Sequence, residues 1–179
     1  MNVVNLQNGR NFFLYGYGKT NKTFMWRTLA STLCSHGHIV LTVASSGITS
    51  LLLPDERTAH SKFAIPVPIL QNSTGNIHQG SELVELLKVT KLIIWNEASM
   101  THKFWFEALD KTFRDIMSFS AHGDSPFRGK IVIDSLGSRL DIINTIINSS
   151  YLWEYCQILN LTVNMHLQIN SNNTNVQEL

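Results

Sequence analysis

The run FFLYGYGKTNKTF, residues 12–24, decides how the rest of the chain is read. Phe12 to Tyr15 is an apolar segment of strand length, glycines follow at Gly16 and Gly18, and Lys22-Thr23 opens a stretch with helical periodicity. Strand, glycine turn and helix start are the setting of a phosphate-binding loop, whose pattern is glycine, four residues, glycine, lysine, then serine or threonine. Every element is present except the second glycine, where Asn21 stands. In such a loop successive backbone N–H groups form a nest around phosphate oxygens, and the helix N-terminus adds its dipole. Lys22 would reach the outer phosphates and Thr23 would offer its hydroxyl to a magnesium ion. Gly16, Tyr17, Gly18, Lys19, Thr20, Asn21, Lys22 and Thr23 are therefore the candidate phosphate-binding residues. Asparagine enters the left-handed backbone region more easily than most residues, yet its side chain occupies space where a phosphate must approach. Taken alone, the stretch reads equally well as a turn that merely starts a helix.

Working outward, apolar runs alternate with helical periodicities. Residues 22 to about 36 form a predicted helix, and HIVLTVAS (38–45) a second strand. SELVELLKV reads as a helix, KLIIW (91–95) as a third strand, and residues 102–117 as an amphipathic helix with Phe106, Leu109, Phe113 and Ile116 near one face. GKIVI (129–133) gives a fourth strand, LDIINTIINSS a further helix and CQILNLTV a fifth strand. Strands in continuous apolar runs, separated by helices, predict an α/β fold with a mainly parallel sheet and helices on both faces. Residues 58–77, with Pro66 and Pro68, resist assignment. SAHGDSPFRG (120–129) is turn-rich and predicts a surface loop.

A second feature belongs with the first. Phosphate-loop triphosphatases carry an acidic pair at the end of a later strand, one carboxylate helping to hold magnesium and the other orienting or deprotonating the attacking water. Here KLIIW runs into Asn96 and Glu97. Glu97 is the candidate base, whereas the metal-side position, Asn96, keeps an oxygen acceptor and lacks the negative charge. Lys22 and Glu97 are thus the catalytic candidates, with Thr23 and Asn96 on the metal.

Together with VASSGITSLLLPDERTAHSKFAIP (43–66), KLIIWNEASMTHKFWFEALDKTFRDIM (91–117), NSSYLW (148–153) and LTVNMHL (161–167), these residues resemble the Pif-type ATP-dependent DNA helicases of superfamily one. The set found in plants and in Helitron transposons is the most similar, and the resemblance covers roughly residues 11–167. It implies a RecA-like first motor domain over residues 1–167, with a polar tail at 168–179, that binds ATP and magnesium and grips single-stranded DNA. In the resemblance Ser45, Ser46 and the Gly47 backbone contact the DNA backbone. Thr58, His60, Ser61 and Phe63 lie along the strand, Phe63 stacking on a base or packing in the core. It also implies unwinding in recombination, repair and telomere maintenance, and a nuclear location. The chain departs from the family at several places. The family loop is GYGGTGKT, so Lys19 and Asn21 replace glycines, and Asn96 replaces an aspartate. The segment Gly-Asp-Phe-Arg-Gln, whose glutamine senses the terminal phosphate, is missing after GKIVI, and His166 stands where the family has arginine. The second motor domain is not in the sequence. A catalytically inactive relic that binds nucleotide or DNA weakly is therefore the alternative expectation. A small-molecule kinase is disfavoured, because only the loop itself supports it.

Composition agrees with one domain inside the cell. The chain has 179 residues, 44% of them apolar, and a net charge of +1, which gives no field strong enough to announce a polyanionic or membrane partner. No apolar run approaches the roughly 18 residues of a membrane span, and MNVVNLQNGRN does not resemble a signal peptide. Cys34 and Cys156 are expected to be reduced and apolar in role. Trp26, Trp95, Trp105 and Trp153 are expected in the core. His36 and His38 are not expected to bind metal.

Overall fold

The computed structural model describes residues 10–15, 22–51, 57–96, 102–117, 125–136 and 149–160. Six strands build one sheet: β1 (Arg10–Tyr15), β2 (Ile39–Ala44), β3 (Arg57–Thr58), β4 (Thr90–Asn96), β5 (Ile131–Leu136) and β6 (Cys156–Asn160). Their order is β3-β2-β4-β5-β1-β6, and every pair is parallel. The helices are α1 (Lys22–Ser35), α2 (Ala59–Lys62), α3 (Glu82–Val89) and α4 (Lys103–Ile116). The predicted helix LDIINTIINSS lies almost wholly outside the described residues, as does the end of CQILNLTV.

The apolar runs behave as buried parallel strands must, with successive side chains feeding two separate cores. Phe13, Leu41, Val43, Ile93, Trp95 and Val132 pack with Phe63, Phe106, Leu109, Phe113 and Phe127 on one face. Phe12, Leu14, Leu92, Ile94 and Ile131 pack with Trp26 and Leu33 of α1 on the other. Trp26 and Trp95 are core residues, and Trp105 and Trp153 pack against the first core half-buried. Cys34 departs from expectation: it is exposed on the last turn of α1, while Cys156 is half-buried with its thiol donating to the Leu152 carbonyl at 3.1 Å.

Two stretches that composition had left open turn out to be built around α4. Phe63 and Ile65 reach the core, and the irregular segment after them is pinned by Gly75 N–H donating to Thr112 Oγ1 at 2.8 Å and Lys111 Nζ to the Gln71 carbonyl. At Gly75 the chain passes so close that a Cβ would lie 2.4 Å from the Phe63 carbonyl oxygen and 3.2 Å from Thr112. Gly75→Ala should therefore lower stability by about 1–3 kcal/mol, the usual cost of overpacking. Urea unfolding checks this, and an unchanged midpoint would contradict the close approach.

The second stretch corrects an expectation. Of the stretch 120–129 expected as a surface loop, residues 120–124 lie outside the described residues, and residues 125–129 are not a surface loop: Pro126 is buried and Phe127 is wholly enclosed. A short 3-10 turn, Pro126–Gly129, carries positive φ at Phe127, Arg128 and Gly129, and this backbone turns the Phe127 ring into the core. Asp110, fully buried on α4, accepts the Phe127 N–H at 2.6 Å, Arg114 Nε at 2.8 Å and the Tyr151 hydroxyl at 2.6 Å. One carboxylate thus joins α4 to the turns that lead into β5 and, through the 3-10 segment Tyr151–Tyr155, into β6. Burial first, then the bond to Asp110, push the Tyr151 hydroxyl well above the ordinary phenol range.

Candidate functional site

In an open parallel sheet, ligands bind beyond the carboxyl ends of the strands, where the strand order reverses. At that rim stand those of the sequence-predicted residues that are described, Phe63 excepted. Lys22 and Thr23 are the first residues of α1, which follows β1 across residues 16–21. Gly16, Tyr17, Gly18, Lys19, Thr20 and Asn21 themselves lie outside the described residues, as do Glu97 and His166. Asn96 ends β4 and is buried, 4% exposed.

Strand β5 lies between β1 and β4, pairing Phe13 with Asp134 on one side and Trp95 with Asp134 on the other. Strands β1 and β4, the second of which ends in Asn96, are therefore separated by two strand spacings, roughly 9–10 Å in the sheet. The strand between them is the one that, by resemblance, should end in the phosphate-sensing segment. The strands expected to carry the phosphate loop (β1) and the metal-side residue (β4) thus flank the strand expected to carry the sensor (β5).

The donors on offer for a cation are weak. Thr23 contributes a neutral hydroxyl and Asn96 a neutral amide oxygen, whereas a hard divalent cation is held by carboxylates. Among the described residues no cluster of three or more His, Cys, Asp or Glu could hold a metal ion. The pair Thr23 and Asn96 does not by itself fit magnesium.

The residues expected on the DNA side lie on the same rim, beyond β2 and β3. Ser45 follows β2, its N–H donating to the Asn96 carbonyl at 3.3 Å and its Oγ accepting the Trp95 indole N–H at 3.1 Å. The indole bond, which sequence reading did not anticipate, fixes this loop to the strand that carries Asn96. Ser46 is exposed and exchanges hydrogen bonds with Thr49, which closes the short turn Thr49–Leu51. A Cβ built at Gly47 meets nothing within 4 Å, so that backbone is open to a ligand. Thr58 Oγ1 lies 3.3 Å from His60 Nε2, and the His60 ring stands edge-on to Trp105 at 6.2 Å between centroids; His60 and Ser61 are exposed. Phe63 does not join them. It is fully buried against Trp95, so it packs in the core and offers no face to a base.

Among the described residues, an all-parallel six-stranded sheet with helices is the architecture of a RecA-like helicase domain. The sequence pattern of the PIF1-like helicases matches residues 1–179, and the chain belongs to that family. Among solved structures it is similar to Bacteroides Pif1 in complex with ADP-AlF3 and single-stranded DNA, with a TM-score of 0.70 and 22% identity over 100% of this chain and 45% of that one. Bacteroides Pif1 bound to single-stranded DNA matches with a TM-score of 0.63, 22% identity, and coverage of 98% and 45%. Pif1 from Candida albicans matches with 0.58, 16% identity, and coverage of 90% and 39%. The chain thus spans less than half the length of these structures. No curated protein matches it. Among the described residues no helix is long and apolar enough to cross a membrane.

Proposed function

We propose that this chain is the first motor domain of a DNA helicase lineage that couples ATP hydrolysis to 5′-to-3′ movement on DNA, in recombination, repair and telomere maintenance in the nucleus, and that it no longer turns ATP over. Its remaining capacity is weak binding of nucleotide at residues 16–23 and of single-stranded DNA at the rim of Ser45, Ser46, Gly47, Thr58, His60 and Ser61. The observation that carries this reading is Asn96. It sits buried at the end of β4, across β5 from β1. That is where a phosphate-loop enzyme needs a carboxylate, and an amide supplies shape without charge. Lys22 would bind the outer phosphates and Glu97 would orient water, but catalytic parts that act as a unit fail together when several are altered. Lys19, Asn21, Asn96 and the missing sensor segment alter four of them.

The similarity of the fold to Pif1 structures containing nucleotide and single-stranded DNA supports the ligand classes. The Ser45–Asn96 and Ser45–Trp95 bonds support a physical link between the two sites, because they hold the loop on the DNA side against the strand on the nucleotide side. The expected result is that the purified chain shows no ATP hydrolysis stimulated by single-stranded DNA above a Lys22→Ala control. Turnover clearly above that control would overturn the loss of catalysis. Binding of a fluorescent ATP analogue that Lys22→Ala abolishes would place the residual nucleotide site at this loop.

A further inference from the structure

We infer that the opposite rim of the sheet, around Lys88, Lys91 and Lys130, is a second contact for the phosphate backbone of a nucleic-acid strand. Leu92 of β4 pairs with Ile131 of β5, so Lys91 and Lys130, each one residue earlier, enter neighbouring strands side by side. Adjacent strands are about 4.8 Å apart, and like charges facing each other across that gap oppose folding. The same spot carries an irregularity. Ile39 pairs with Thr90 and Val40 with Leu92, which leaves Lys91 as an extra residue on β4. Such bulges re-aim a side chain, and Lys91 is exposed.

Compensating charge is scarce there. Lys130 Nζ donates to the Lys88 backbone carbonyl, and neither Lys91 nor Lys130 pairs with a carboxylate of the described residues. Lys88 has a partner in Glu85 at 2.8 Å, but both side chains are largely exposed and such a pair is readily exchanged. Burial first, then the nearness of Lys91, lower the Lys130 pKa to about 8, in keeping with two ammonium groups placed close together. A phosphate backbone, with its regularly repeated charges and acceptor oxygens, relieves this repulsion along its length; lysine serves phosphate as a point charge without reading sequence. The patch lies at the amino ends of the strands, away from Ser45 and Asn96, so it is separate from the rim discussed above.

The test is an NMR titration of the 15N-labelled chain with an oligothymidylate, with tripolyphosphate and polyglutamate as competing probes. The expected result is movement of the Lys91 and Lys130 amides with the oligonucleotide at lower charge concentration than with either probe. Lys91→Gln with Lys130→Gln should abolish it, and Lys91→Arg with Lys130→Arg should restore it. Removing both ammoniums should flatten the plot of log affinity against log salt by about 1.4, two contacts at about 0.7 each for a single strand. Binding of the ATP analogue should not change. No movement of these amides, or equal movement with polyglutamate or tripolyphosphate, would overturn the inference. Shifts confined to Ser46, Gly47 and His60 would also overturn it while leaving the strand-end reading intact.

Discussion

Asp110→Ala is expected to remove about 3–5 kcal/mol of folding stability, the cost of breaking a buried charged contact by deleting one partner. Globular domains hold only about 5–15 kcal/mol in total, so the loss is a large share of what keeps the chain folded. The magnitude follows from what is left behind. Asp110 is fully buried and takes three donors, of which the Phe127 N–H is itself enclosed in the core. Arg114 is partly exposed and Tyr151 is 45% exposed, so those two groups can turn to water. Arg114→Ala should accordingly cost much less than Asp110→Ala. Asp110→Asn keeps the shape and one carbonyl acceptor, but sets an NH2 group against donors, and should fall between the two. Denaturant unfolding of the three variants checks the order; a loss below about 1 kcal/mol for Asp110→Ala would remove the carboxylate from its place as the joint of the fold.

The same joint sets a pH dependence. The folded state holds the Tyr151 hydroxyl protonated, with a pKa raised above its ordinary value of about 10. This contribution is fully present below pH 10 and is lost as pH rises above that value, so Tyr151→Phe should flatten the alkaline limb of the stability curve. The consequence reaches the functional rim. The turns that Asp110 fixes lead into β5 and β6, the two neighbours of β1, so the register of the phosphate-loop strand depends on a residue on the buried side of α4.

Why some of this was legible beforehand, and some not, follows from the same contacts. Buried parallel strands are written as apolar runs, and α4 as a strong amphipathic period, so the α/β class and the order of β1, α1, β2, α3, β4 and α4 could be read directly. Phe12 and Phe13 feed opposite cores simply because they are neighbours on a strand. The turn at Phe127 was hidden, because Gly, Asp, Ser and Pro around it describe a surface loop, and only the long-range acceptor Asp110 reverses that reading. Asp110 and Arg114 stand four apart, a spacing visible in the sequence, but it looks the same on a solvent-facing helix. Phe63 was ambiguous for a related reason: a ring beside exposed His60 and Ser61 can face a base or the core, and Trp95, 32 positions later, decides for the core. The rim around Asn96 was legible in residue types and not in geometry, since nothing in the order of residues shows that β5 threads between β1 and β4.

The triple variant Lys19→Gly, Asn21→Gly, Asn96→Asp is expected to bind an ATP analogue with magnesium at least tenfold more tightly than the parent, about 1.4 kcal/mol, without unwinding DNA. Two glycines return the loop to backbone that phosphates can approach, and the aspartate returns an anionic oxygen for the cation. The single change Asn96→Asp tests the more exposed part of this argument. A carboxylate at a position only 4% exposed is costly to desolvate, so alone it should take up a proton or destabilise the chain. Magnesium and nucleotide together should recover that loss, which a thermal-melt series with and without chelator reads directly. Equal melting of parent and Asn96→Asp under both conditions would mean that the end of β4 faces no ligand. Unwinding should stay absent even in the triple variant: none of the three changes restores the segment by which the family senses the terminal phosphate beyond β5, or supplies a second motor half. Tight nucleotide binding without movement on DNA would therefore separate nucleotide binding, which three side chains restore, from unwinding, which they do not; unwinding by the triple variant would show that the rim assembled here is already sufficient.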